Sequence, residues 1–126
     1  MAGKVVVDTI ETGAGDSASA EEVVKGCAKA WVNFQTLVTT SILRSFNVSS
    51  VTDIGVGISL VNFSTPMDTA NYAVSTFAQN TVGGGQVTAQ QVSTYKTKTT
   101  TQCHIVVIDQ TLAGSDPGEV SAVFFE

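Results

Sequence analysis

The side chains able to do chemistry are few and scattered. The chain has one histidine, His104, and two cysteines, Cys27 and Cys103. A single histidine leaves little room for a metal centre or a Ser–His–Asp arrangement, both of which need several converging groups. His104 stands between Cys103 and Ile105, an apolar run where a hydrogen-bonded core or interface histidine is expected. Cys27 and Cys103, far apart in sequence, read as buried free thiols rather than a bridge. Gly83, Gly84 and Gly85 lack the Gly-Lys-Ser/Thr that completes a phosphate loop, so a hairpin tip is expected there. No Gly-x-Ser-x-Gly elbow occurs.

The carboxylates give no acid–base pair either. Glu21 and Glu22 suit the first turn of a helix, where they favour its dipole. Asp53, Asp68 and Asp116 fall in segments with Gly or Pro, where aspartate stabilises turns, and Asp109 ends an apolar run. No dense Asp-x-Asp spacing points to calcium, and no pair suggests glycoside hydrolysis. Asn47-Val48-Ser49 and Asn62-Phe63-Ser64 match the glycosylation pattern but read as strand residues. The expectation is therefore a protein without catalytic residues, metal or cofactor.

Composition sets the next limits. The 126 residues fit one domain with a thin core. Charged residues make up 13% of the chain, about half the usual share, with Ser, Thr, Asn and Gln supplying the polarity. Such a surface implies cover by neighbouring subunits. A net charge of −5 and the scattering of Lys4, Lys25, Lys29, Arg44, Lys96 and Lys98 argue against nucleic acid. No stretch is long and apolar enough to insert in a membrane, and the first residues lack the pattern of a secretory leader, so synthesis in the cytoplasm is expected.

Hydrophobic periodicity places these residues on elements. Residues 4–11 read as a strand, followed by a turn-rich segment over 12–17. Ser19 and Glu22 form a capping-box pattern that opens a helix of about two turns, with Gly26 placed to stop it. Beyond Gly26 the period becomes two. Ala28, Ala30, Val32 and Phe34 point one way, and Lys29, Trp31, Asn33 and Gln35 the other. Trp31 on the polar face needs a cover, either a second sheet or a neighbouring subunit. Residues 41–51 read as one strand or two short ones with Ile42, Phe46 and Val48 as core candidates, and a glycine turn over 52–57 leads into a hairpin with 58–63. Pro66 breaks the ladder. Further strands are expected over 72–79, 87–98 (solvated or at an edge), 103–109 (central) and 120–125, with loops at 82–86 and 112–118. These signals predict an all-β antiparallel sandwich, jelly-roll-like, over 27–126, with residues 1–26 as a strand-and-helix arm.

Several of these stretches also resemble a bacteriophage module. Ala28-Lys29-Ala30-Trp31-Val32-Asn33-Phe34, Ser45-Phe46-Asn47-Val48-Ser49-Ser50-Val51-Thr52-Asp53, Val61-Asn62-Phe63 and Asp68-Thr69-Ala70-Asn71-Tyr72-Ala73-Val74 are similar to tail-fibre or receptor-binding-type domains of phages. The end, Val120-Ser121-Ala122-Val123-Phe124-Phe125, resembles their final strand with Phe125 where glycine is usual. Lys4-Val5-Val6-Val7-Asp8-Thr9-Ile10 resembles the arm that opens several such proteins, especially in marine phages. The chain departs from the pattern between Gln35 and Leu43, where the family often has a glycine-rich turn, and over 83–101.

The resemblance implies a virion structural protein without catalytic residues, commonly trimeric, on a tail or capsid. The expected partners are copies of itself and another virion protein. Trp31, Phe34, Phe46, Phe63 and Tyr72 are candidates for oligomer or inter-sheet contact, and Val5, Val6, Val7 and Ile10 for a docking arm. A capsid decoration protein is the alternative. Recognition of a host surface glycan through Tyr72, Phe77 or Tyr95 is a third expectation.

Overall fold

The computed structural model describes residues 2–79, 90–91, 98–108, 114 and 116–126. The expected glycine tip at 83–85, Tyr95, Asp109, most of the 87–98 strand and part of the 112–118 loop lie outside these residues.

Two four-stranded antiparallel sheets form a β-sandwich. The first has the order β4-β3-β10-β7, from β3 (Ala28–Gln35), β4 (Ser41–Phe46), β7 (Ala73–Gln79) and β10 (Glu119–Phe125). The second runs β5-β6-β9-β8, from β5 (Val48–Gly55), β6 (Ile58–Phe63), β8 (Gln90–Gln91) and β9 (Gln102–Val107). Strand alternation builds the core between them. Ala30, Val32 and Phe34 of β3 and Val120, Ala122 and Phe124 of β10 meet Val61 and Phe63 of β6 and Cys103, Ile105 and Val107 of β9. The Phe63 ring stands edge-on to Phe124 at 5.0 Å and to Tyr72 at 5.7 Å, an arrangement that adds to the burial of each ring.

Asn47 is the corner between the sheets. It is the one described residue other than glycine with positive φ, at 55°, a conformation asparagine tolerates better than most. Its Nδ2 donates to Lys29 O and Thr65 O, each at 3.1 Å, and its Oδ1 accepts from Thr65 N at 2.7 Å. The end of β6 and the start of β3 are thereby held at one point, and residues 41–51 form two strands in different sheets.

A bulge in β4 corrects the expectation that Phe46 joins the core. Asn33 pairs with Arg44 and Phe34 with Ile42, which leaves Leu43 as an extra residue. That insertion reverses the facing of everything beyond it. Ile42 packs against the core, while Phe46 turns outward and is 54% exposed.

The N-terminal segment is shorter in regular structure than its apolar pattern suggests. Only β1 (Thr9–Glu11) forms, paired antiparallel with β2 (Ser17–Ser19), so residues 12–16 of the expected turn-rich segment make a hairpin turn. Val5, Val6 and Val7 precede it with no partner strand. The helix α1 (Ala20–Gly26) starts as expected: Ser19 Oγ accepts from Glu22 N at 3.1 Å, and the Glu22 carboxylate accepts from Ser19 N at 2.8 Å. Gly26 is its last residue rather than a left-handed stop, with extended Cys27 as the cap. Cys27 is exposed, against expectation, because it sits between α1 and the sheet; Cys103 is buried, and both are free thiols.

Candidate functional site

The outer face of the first sheet gathers the side chains that the core leaves behind. On β3 the residues opposite the core set are Lys29, Trp31, Asn33 and Gln35; on β10 they are Glu119, Ser121, Val123 and Phe125. Register then aligns Phe46, Trp31, Val123 and Ser75 as one row across four strands. Arg44, Asn33, Ser121 and Phe77 form the next row. The second sheet covers the other side of β3, so it is not the cover that Trp31 needs.

The rings on this face stay open to solvent: Trp31 is 36% exposed, Phe77 52% and Phe125 36%. Scattered apolar residues on a surface need no explanation, but aromatic residues collected on one sheet face mark a contact surface. Between the two rows lies an open groove of about 390 Å³ bordered by Trp31, Asn33, Arg44, Ser121 and Val123.

Asn33 organises the polar part of the groove. Its Nδ2 donates to Glu119 Oε1 at 2.6 Å and, more weakly, to Ser121 Oγ at 3.4 Å. Its Oδ1 is buried with no hydrogen-bond partner among the described residues. An unsatisfied buried carbonyl costs about 1–3 kcal/mol, so fixing the Glu119 carboxylate on an aromatic face is held against a real penalty.

The sequence candidates separate cleanly by location. Trp31 and Phe46 lie opposite each other on the outer face. Phe34, Phe63 and Tyr72 are buried between the sheets. Tyr72 is therefore withdrawn from a glycan-stacking role: its ring packs edge-on against Phe63 and Phe124, and Lys98 Nζ sits 4.6 Å from its ring centroid while donating to Tyr72 O at 2.6 Å. Its hydroxyl lies 2.9 Å from Thr99 O and 3.1 Å from Gln102 O, either of which can accept its proton. Burial pushes both the Tyr72 phenol and the Cys103 thiol above their ordinary values. Phe77 is exposed on the aromatic face; Tyr95 lies outside the described residues.

The arm residues are exposed too, Val5 at 84%, Val6 at 77%, Val7 at 45% and Ile10 at 47%. Ile10 and Val23 line a second depression, of about 310 Å³, between the hairpin and α1, and no residue of α1 is buried. A segment with this much open aliphatic surface lacks the burial that ordinarily offsets chain ordering.

Sequence reasoning placed Asn33 beside Trp31 but missed Arg44, Glu119, Val123, Phe77 and Phe125 as members of the same surface. The alternation of β10 could have placed Glu119, Val123 and Phe125 together; joining them to Arg44 required the bulge and the strand order. His104 lies on the outer side of the second sheet, opposite Leu60. Among the described residues, no group of three or more His, Cys, Asp or Glu is placed to hold a metal ion, and no helix is long and apolar enough to cross a membrane. Comparison of the chain with protein-family models, curated proteins and solved structures yields no match.

Proposed function

We propose that this protein is a non-enzymatic structural component of a bacteriophage virion, of tail-fibre or tail-appendage type. It assembles as a homotrimer through the outer face of the β4-β3-β10-β7 sheet and attaches to another virion protein through its N-terminal arm. The observation that carries the assembly reading is Trp31, left open with Phe46, Phe77 and Phe125 on the face away from the second sheet. Rings of β-domains bury such faces against one another, and aromatic residues dominate the centres of interfaces. The phage setting rests on the sequence resemblance around Trp31 and Tyr72.

The arm suits attachment by strand addition. Residues 2–7 belong to no strand, carry Val5, Val6 and Val7 in the open, and can extend along the free edge of another protein's sheet. The same feature favours a second location, as a decoration protein on the capsid, where the arm would augment a sheet of the shell.

Sedimentation velocity on the purified chain tests the assembly, with a trimer expected at micromolar concentration. A chain that stays monomeric overturns it. Reconstruction of a particle carrying the protein separates tail from capsid by position, and a particle lacking it removes the virion reading.

A further inference from the structure

The charged groups on the aromatic face are complementary to each other, yet they are not paired with one another. Among the described basic residues of the sandwich, Lys29 donates to Val24 O at 3.3 Å and Lys98 to Tyr72 O at 2.6 Å. Arg44 has no hydrogen-bond or ion-pair partner among the described residues, although it borders the groove beside Trp31. Glu119 lies on the same face two strands away, one carboxylate oxygen held by Asn33 Nδ2 and the other, Oε2, without a partner among the described residues. The face thus offers one open cation and one anchored anion, set apart across β3 and β10.

We propose that this face matches itself: Arg44 of one copy pairs with Glu119 of a second copy, with Trp31 and Phe46 packed around the contact. The inference rests on the assembly reading above and names the charge pair that gives it register. Charge complementarity selects a second copy as the occupant, because a single face presents both halves of the pair. A chain of net charge −5 repels its own copies, so association needs opposite charges brought together at defined points. Arginine is the basic residue suited to the position. Its planar guanidinium meets a carboxylate through two parallel hydrogen bonds and stacks on aromatic rings, neither of which lysine does as well. Asn33 acts as a positioning residue that fixes the Glu119 carboxylate for this contact.

The test is a charge reversal read by sedimentation equilibrium, with circular dichroism and thermal melts confirming the fold of each variant. Arg44→Glu and Glu119→Arg each place like charges opposite one another, and each is expected to weaken association at least tenfold. In a cyclic trimer, mixing the two single variants restores opposite charges at two of the three contacts, so hetero-oligomers are expected to be tighter than those of either variant alone and weaker than the wild type. The double variant, Arg44→Glu with Glu119→Arg, is expected to recover most of the wild-type association. An oligomer that survives both single reversals, or a folded double variant that stays dissociated, overturns the pair while leaving the assembly reading standing. A wild-type chain that is monomeric overturns both.

Discussion

Two rows of side chains on the outer faces of the sandwich have the same strand geometry and opposite chemistry. On the second sheet, Ser50, Asn62 and Gln102 form a row joined through the Asn62 amide. Asn62 Nδ2 donates to Ser50 Oγ at 3.0 Å and to Thr52 Oγ1 at 3.4 Å, while its Oδ1 accepts from Gln102 Nε2 at 3.0 Å. On the first sheet the equivalent positions carry Phe46, Trp31 and Val123, beside an arginine without a partner among the described residues. A row joined through one amide in this way makes its contacts within its own chain. In the proposed assembly, a neighbouring copy covers the rings and the guanidinium that the first row leaves open.

The largest effect should come from breaking the aromatic face. Phe46 lies on an edge strand and is more than half exposed, so its removal costs the isolated fold little. In a trimer built on this face, Phe46→Ser is expected to remove a hot spot worth about 2 kcal/mol or more, which is roughly a thirtyfold loss of association. The unfolding free energy of the dissociated chain should change by less than about 1 kcal/mol. Sedimentation equilibrium and urea unfolding measure the two separately. A variant that associates normally would return the aromatic face to the status of ordinary exposed surface.

The second face should respond the other way round. Asn62→Ala breaks the amide ladder at its centre and leaves Gln102 and the two hydroxyls to water. A loss of about 1–2 kcal/mol in unfolding free energy is expected, the sum of modest net hydrogen bonds on a half-buried face. Association should be unaltered. If Asn62→Ala weakened the oligomer as much as Phe46→Ser, both faces would be contact surfaces and the division between them would fail.

What could be read from the sequence follows from what each signal encodes. The alternation of Ala28 to Gln35 gave β3 its two faces, and the Ser19–Glu22 spacing gave α1 its start, because both are local patterns written in consecutive residues. The strand expected over residues 4–11 shrank to three residues, since apolar β-formers make a strand only where a partner runs beside them. Phe46 was read as core because period two without interruption carries it inward with Ile42. The bulge at Leu43 leaves no compositional trace, and one residue reverses the outcome. Strand order was equally hidden: that Val123 would lie between Trp31 and Ser75 depends on the last strand inserting between β3 and β7. The candidate site was legible at Trp31, at Asn33 on the same strand face and at Phe46 as a contact candidate, and its other members required the topology.

The smallest effect distinguishes the faces by charge. The polar groups of the second face's amide ladder are neutral, whereas the strand that bears Val123 and Phe125 ends in a carboxylate that holds a loop. Glu126 accepts from Asp68 N at 2.7 Å and from Thr69 N at 2.5 Å. Partial desolvation raises its pKa, but these backbone bonds and the nearby Lys29 outweigh that and hold it below the usual 4.5. A carboxylate with a depressed folded value contributes stability that is complete above the unfolded value and disappears as pH falls through the folded one. Glu126→Gln keeps one acceptor oxygen but turns an NH₂ group toward the second amide. The wild type should therefore melt slightly above this variant at neutral pH, and the gap should close in acid below the folded value. The deficit of Asn62→Ala should persist through the same range, because the side chains it disconnects do not titrate there. Thermal melts of the three proteins across that range measure both trends, and a Glu126→Gln gap that did not shrink in acid would place the order of the 68–69 loop in its backbone instead of in the carboxylate.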